Sequence, residues 1–507
     1  MIKLYKNVDF DNTYKHTFYK DKDSQTAYFS SRLVATFDDT IFFRKNFEVR
    51  VNLSYEQCCN LGINYCIVNN GSKDYYYFVI SKQYINDEVT ELTLELDVLQ
   101  TYLYDVRINK CFVEREHVDH DEIGRHILPE SIAIGDYIIN DILQPNDLNL
   151  LTKVLAVNGL QVAGQNPTGG FAEGHNFVTN GIKCDKQYVG YRENDNIKAL
   201  ETLNRAGQLQ YVSDLFYYPT VLLNFENEVL TPDQWELGNR VTGGNAVQWN
   251  CGQPSLLDGY RPHNNKLYTY PYCYAEMITA TGFSTIYKYE YFKDQNVAFQ
   301  LQGACSEDTV VQAVPKQYRG YSFNINEMSE FSSYPHIPVT TDNFDNYLAR
   351  KSTSMMASAT AGVLSSIATG GASAFNTLAG AVSDLMMMSN HNVVASTISG
   401  DMTGIITKYY NNTGFRLLKK SITNECARMI DNYFDAYGYR VDTVKVPQLY
   451  TRTRCNYVKT RDCTVTGNID IEDILKIENI FNAGVTLWHD EESLKWRIYG
   501  NNEVITE

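Results

Sequence analysis

From Ser352 to Ser383 the chain carries no charged side chain, and Ala, Gly, Ser and Thr make up most of the stretch. Asp384 and Leu385 follow, then the triplet Met386, Met387 and Met388. In a chain of net charge −16, such a run has three destinations: a core, an assembly interface or a membrane. Its large apolar groups are Met355, Met356, Val363, Leu364, Ile367, Phe375, Leu378, Val382, Leu385 and the methionine triplet. The run is long enough to span a bilayer, which takes about 20 apolar residues. Its composition makes insertion marginal. Leu, Ile, Phe and Val supply roughly −0.3 to −0.6 kcal/mol each at the centre of a spanning helix, and they are sparse here. Gly370 and Gly371 weaken a continuous helix further. The segment reads as a releasable hydrophobic loop. Its small residues allow copies to pack closely around a symmetry axis, and its apolar groups can enter a membrane together once freed. An ordinary buried hairpin is the alternative.

Hydrophobic content of 44% and charged content of 21% describe a globular chain, and 507 residues leave room for several domains. The 38 tyrosines favour half-buried pleated surfaces and wet interfaces, so much β-structure and extensive subunit contact are expected. The acidic balance argues against a protein that grips nucleic acid, which needs a basic surface. It is compatible with a passage through which DNA slides without sticking. The 11 cysteines show neither paired metal spacing nor a short disulfide framework, so reduced and mostly buried thiols are expected. The N-terminal sequence lacks the apolar stretch of a signal peptide, and no secretion route is expected.

Strands dominate the first hundred residues. Phe47, Val49, Val51 and Leu53 alternate with polar residues, as do Leu92, Leu94, Leu96 and Val98, which predicts strands with one face buried. The run from Tyr75 to Ile80 predicts a strand buried on both faces. Residues 162–253, rich in Gly and Asn, predict a loop-rich β insertion. Strands are expected again over 266–280 and 284–302. Two helices are expected near the C-terminus. The first has Leu417, Leu418, Ile422, Cys426, Met429, Ile430, Tyr433 and Phe434 on its core face and stops at Gly438. The second has Ile471, Ile474, Leu475, Ile477, Ile480 and Phe481 on its core face and stops at Gly484.

Catalytic signatures are absent: there is no glycine-rich phosphate loop, no GxSxG elbow and no HExxH helix. The richest polar stretch runs from Glu114 through His117, His120 and Glu122 to His126. Three histidines among carboxylates are ingredients for a metal site. At the end of a strand pattern, however, their side chains point to different sides, and a solvated charged turn is expected instead. Asp470, Glu472 and Asp473 suit the N-terminus of the last helix electrostatically. No catalytic residue, cofactor or metal is assigned.

A set of longer motifs carries more information. Ser421–Ala427 leads into Ile430-Asp431-Asn432-Tyr433-Phe434-Asp435-Ala436-Tyr437-Gly438-Tyr439 and Val444-Lys445-Val446-Pro447, then Asn456–Thr460, Thr466–Ile469 and Gly484–His489. Upstream stand Asp97–Tyr102, Val113-Glu114-Arg115-Glu116-His117-Val118, Asn264–Cys273 and Asp342–Ala349. In its order and its long, aromatic-rich motifs this series resembles the tail knob, or distal tail tube, proteins of small short-tailed phages of the phi29 type. The resemblance covers most of the chain and is weakest over 162–253.

The resemblance implies an α+β, β-rich, multi-domain tail-tube subunit, with sheets lining a hexameric tube, a few C-terminal helices and a long hydrophobic loop. It implies residues 1–118 as an N-terminal β tube domain and 119–260 as an outer insertion. Residues 261–349 become a second tube part, 350–404 the membrane-active loop, and 405–507 an α/β part returning to the tube. The implied partners are five further copies in a homohexamer, other tail proteins (upper tube or connector, and tip proteins) and the host cytoplasmic membrane through the loop. Genomic DNA would pass through the lumen without specific binding. The implied location is the virion tail, with transient insertion in the host membrane. Two rivals stay open: a soluble pore-forming protein, and a tail-tip enzyme that hydrolyses cell wall.

Overall fold

The computed structural model describes residues 1–38, 46–148, 150–158, 161–162, 178–179, 182–183, 186–191, 196–206, 212–231, 235–279, 283–306, 310–320, 329–333, 336–338 and 414–505. Within it the chain forms two compact units, each assembled from separated stretches. Unit one comprises Met1–Asp136, Leu256–Tyr272 and Ile422–Glu507; unit two comprises Tyr137–Ser255 and Cys273–Ser421. The fold is β-rich α+β with few helices, as the sequence led us to expect.

Unit one contains a six-stranded antiparallel sheet ordered Leu33–Phe37, Ile2–Lys6, Ile63–Asn69, Asp74–Asn86, Val89–Leu96 and Asn46–Val51. The two alternating stretches seen in the sequence pair with each other, Phe47 opposite Leu94 and Val49 opposite Leu92. Their apolar residues therefore share one face, and Val49, Val51, Leu92, Leu94 and Leu96 are all buried. Leu53 and Val98 fall outside these strands. Ser54 caps a helix over Tyr55–Asn60 with a capping box, and Asp97 caps another over Val98–Tyr102. The strand Asp74–Asn86 is buried on both faces at Tyr77 and Phe78, which enter two different core clusters, but Ile80 is 50% exposed, so the expected two-sided burial is corrected at that end. The ladder slips between Val79 and Ser81, and this bulge turns the distal half outward.

A second sheet of unit one runs His16–Phe18, Val485–Trp488, Cys455–Arg461, Cys111–Glu116, Tyr439–Lys445. Part of the tyrosine content is buried inside this unit. Tyr28 stacks on Phe18 at 4.7 Å between ring centroids, and Phe29 on Tyr65 at 5.3 Å, in a buried cluster that also holds Phe10, Phe78 and Trp488.

The C-terminal helices depart from expectation at their faces. The first spans Asn424–Tyr437, capped by Thr423 and closed by Gly438, while Leu417, Leu418 and Ile422 lie in a preceding strand, Phe415–Ile422. Met429, 64% exposed, points away from the core. Helical spacing misled because a seven-pair ladder with Cys273–Thr279 fixes the backbone as extended, and pairing overrides local periodicity. The second helix spans Ile471–Ala483 and ends at Gly484 as expected. Ile477, Ile480 and Phe481 are buried, but Ile471 and Leu475 are 65% and 52% exposed. Asp470 caps this helix, accepting from the Glu472 N–H at 3.1 Å.

Unit two has a seven-stranded sheet ordered Gln161–Val162, Leu223–Thr231, Gly238–Gly243, Lys186–Tyr191, Leu151–Asn158, Val212–Pro219, His336–Pro338. A four-stranded sheet runs Ala246–Asn250, Ala298–Gly303, Val310–Pro315, Glu330–Ser333, and another runs Tyr137–Leu143, Phe415–Ile422, Cys273–Thr279, Ser284–Tyr287. The expected strands over 266–280 and 284–302 are interrupted by single helical turns at Asn265–Tyr268, Tyr289–Tyr291 and Lys293–Gln295. The sequence reading missed the helix Asn196–Arg205 altogether.

Candidate functional site

The loop 350–404 lies outside the described residues, together with Met355, Met356, Val363, Leu364, Ile367, Phe375, Leu378, Val382, Leu385, Met386, Met387 and Met388. Its two anchors in unit two are described, and they differ. On the N-terminal side, His336–Pro338 is an edge strand whose three residues pair with Asp214, Leu215 and Phe216. On the C-terminal side, Phe415–Ile422 enters the interior of a four-stranded sheet. It pairs residue for residue from Thr279 opposite Phe415 to Cys273 opposite Ser421. Phe415, Leu417 and Ile422 are buried, Lys420 is ion-paired with Glu276, and Lys419 reaches Asp141 at 3.7 Å. Among the described residues no helix is long and apolar enough to cross a membrane.

The polar stretch that raised the question of a metal is not a solvated turn. Glu116 and His117 are buried, so the expectation is corrected there. Glu116 is ion-paired with Lys445 and accepts from the Gln448 N–H at 3.0 Å. His117 Nδ1 accepts from the Tyr457 N–H at 2.7 Å, and its Nε2–H donates to the Asp435 carbonyl at 3.0 Å. Burial, with Arg452 nearby, holds its pKa down at about 3, so the ring is neutral and both nitrogens are engaged. Asp121 accepts from the Asn265 N–H at 2.8 Å and the Tyr439 hydroxyl at 2.7 Å. The contacts of Glu114 with Arg461, of Asp119 with Gln448 and His120, and of Glu122 with Arg125 keep the exposed character expected of the whole stretch. Among the described residues no group of three or more His, Cys, Asp and Glu is arranged to hold a metal ion.

The same region reveals what the sequence motifs are for. Asp431, fully buried, accepts from the Tyr260 hydroxyl at 2.7 Å, the His263 N–H at 2.7 Å and the Asn264 N–H at 3.0 Å. The Asn264 amide bridges Asp431 and Asp435, at 2.8 and 2.6 Å. The Glu130 carboxylate, inaccessible to solvent, is ion-paired with Arg115 and Lys266 and accepts from the Arg440 N–H at 3.0 Å. Burial pulls the Lys266 ammonium down from its ordinary value while Glu130 opposes that shift. Residues from Val113–Val118, Asn264–Cys273 and Ile430–Tyr439, far apart in the chain, thus share one buried polar knot within unit one. Its donors and acceptors are matched to one another, which suits a fixed scaffold rather than proton transfer. No local spacing rule identifies such a knot, because each partner lies in a different segment.

Two family models match the chain. The C-terminal domain of the tail knob protein gp9 of Bacillus phage phi29 matches residues 240–504, more than half of the chain. The N-terminus of the caudoviral major tail protein matches residues 1–107. Tail knob protein gp9 of Bacillus phage B103 is 23% identical, covering 99% of this chain and 98% of its own. Its counterpart in Bacillus phage phi29 is 24% identical over 97% and 96%. Among solved structures, the tail knob protein gp12 of bacteriophage C1 shares the fold over 99% of both chains, with a TM-score of 0.67 and 17% identity. Motif order, fold and family match agree: the chain belongs to the phi29 tail knob protein gp9 family.

Proposed function

We propose that the chain is a structural subunit of the distal tail of a short-tailed phage, six copies forming a tube. In this reading residues 1–118, 261–349 and 405–507 build the tube wall and 119–260 its outer part. Residues 350–404 plug the tip before infection and then form or assist a channel through the host cytoplasmic membrane. The observation that carries the reading is the correspondence over nearly the full chain with tail knob relatives, together with an uncharged segment bracketed by two anchored strands. A role without catalysis follows from the same correspondence.

The mechanism is a switch between two packings. Inside the tube the loops bury their methionines and scattered aliphatic groups against copies of themselves. At a bilayer they find burial of similar size, so contact with the membrane biases an equilibrium that is already balanced. Marginal hydrophobicity serves this purpose, because a strongly apolar span would not stay hidden in water. The acidic balance of −16 suits a lumen that repels phosphate and lets DNA pass.

Imaging the purified full-length protein by electron microscopy tests the assembly. Six-fold rings or short tubes are expected. A monomer, or a ring of another order, would overturn the hexameric tube.

A further inference from the structure

Cys111 opens the strand Cys111–Glu116, and Cys463 follows the strand Cys455–Arg461 beside it. These strands pair antiparallel, Phe112 lying opposite Arg461. Beyond the cysteines the alignment resumes, with the Asn109 N–H donating to the Thr464 carbonyl at 3.0 Å and Ile108 opposite Val465. The two cysteines therefore sit in a short gap between paired stretches. The register on either side sets Cys111 opposite Asp462 and Lys110 opposite Cys463, so the two cysteines are diagonal neighbours on strands about 4.8 Å apart, where a disulfide needs roughly 4.4–6.8 Å between Cα atoms. Asp462 adopts a positive φ of 53°, and Asn482 Oδ1 accepts from the Cys463 N–H at 3.1 Å. This local turn delivers Cys463 into the core cluster that contains Cys111. Both side chains are buried, and the thiols act directly on each other.

We propose that Cys111 and Cys463 form a built-in disulfide site, a dithiol when the chain folds and a cross-link once a low-molecular-weight disulfide oxidises it. One cysteine thiolate attacks the small disulfide and releases one small thiolate. The second cysteine thiolate attacks the resulting mixed disulfide, forms the Sγ–Sγ bond and releases the other. The two cysteine protons end on the released thiolates, so two protein thiols and one small disulfide become one protein disulfide and two small thiols. The reaction is slow in the folded protein, because burial raises both thiols, Cys463 to about 12, and thiolate is scarce. Once formed, the bond closes a covalent loop over residues 111–463, which contains the whole of 350–404. A loop of that length restricts the unfolded chain strongly.

The test uses the folded full-length protein incubated for a long period with oxidised glutathione at mildly alkaline pH. Free thiols are then alkylated and the digest analysed by mass spectrometry. A peptide linking Cys111 to Cys463 is expected, two hydrogens lighter than its parts and cleaved by dithiothreitol. The oxidised protein should melt roughly 5 °C or more above the reduced form, and Cys111→Ala and Cys463→Ala should each abolish that rise. The exposed Cys59 reports reagent access in the same sample. Recovery of Cys111 and Cys463 as free thiols while Cys59 is glutathionylated would overturn the proposal, as would linkage of either to a different cysteine.

Discussion

Two strands in the middle of their sheets are held by opposite means. Cys111–Glu116 lies between Cys455–Arg461 and Tyr439–Lys445, and Phe415–Ile422 lies between Tyr137–Leu143 and Cys273–Thr279. The first carries Glu114, Arg115 and Glu116 and is fixed by ion pairs and hydrogen bonds from distant segments. The second presents Phe415, Leu417 and Ile422 to a core, with its two lysines each assigned a carboxylate. Charge-paired interiors fail when one partner is removed, since the other is left buried and uncompensated. Apolar interiors fail in proportion to the volume removed. Each unit thus has its own kind of interior, and conditions that weaken one leave the other intact.

Three perturbations separate the two interiors, beginning with the most damaging. Gly438 has φ +63°, and a Cβ there would lie 2.1 Å from the Glu116 carbonyl oxygen. Gly438→Ala should therefore cost about 5 kcal/mol, or prevent accumulation of folded protein, as read by urea denaturation. Next come two substitutions that should act separately. Glu130→Gln leaves Lys266 and Arg115 without their shared counter-ion and should cost about 4 kcal/mol. Phe415→Ala empties a fully buried site and should cost about 3 kcal/mol. Hydrogen exchange should show lost protection around Cys111–Glu116 in the first variant and around Cys273–Thr279 in the second. Identical protection maps would mean that the two interiors are not distinct.

The smallest effect is a dependence on pH. His117 is depressed to about 3, and His16 and His489 to about 4, mainly by burial. A depressed folded-state pKa gives stability that is present above the ordinary histidine value near 6.5 and is lost as pH falls toward 3 to 4. Asp97 works in the opposite sense. Burial raises it to about 7, so its contribution is present below the ordinary carboxylate value near 4 and lost as pH rises through 7. His126 is lowered by burial in the same sense, and Glu116 and Asp435 are raised in the sense of Asp97, so four histidines against three carboxylates predict a modest net loss of stability on acidification from pH 6.5 to 4. Asp97→Asn should steepen that loss, and a flat profile in both proteins would count against neutral buried histidines.

Legibility in the sequence followed the range of the interactions. The strands around Val49 and Leu92 were readable because one-sided burial writes a period of two into adjacent residues. The stops at Gly438 and Gly484 and the acidic start of the last helix at Asp470 are readable because they are local. Leu417 and Leu418 were misassigned because their conformation depends on a partner strand more than a hundred residues away in sequence. Glu116 and His117 were assigned to solvent because their partners, Lys445, Tyr457 and Asp435, lie in another part of the chain. The family motifs, by contrast, contain Arg115, Asn264, Lys266, Asp431 and Asp435 of the knot but not Glu130, Tyr260 or His263, and do not indicate why these residues belong together.

The central claim, a marginally apolar loop that leaves a soluble assembly for a membrane, meets its most direct test in dye release from liposomes. The full-length protein is compared with a variant lacking Ser352–Ser383, after both are shown to share the same circular dichroism and the same assembly size. The account predicts leakage with the full-length protein and its loss in the folded, assembled deletion. Equal leakage from both would contradict the role of the segment. A deletion protein that fails to fold would identify the segment as core and end the switch idea.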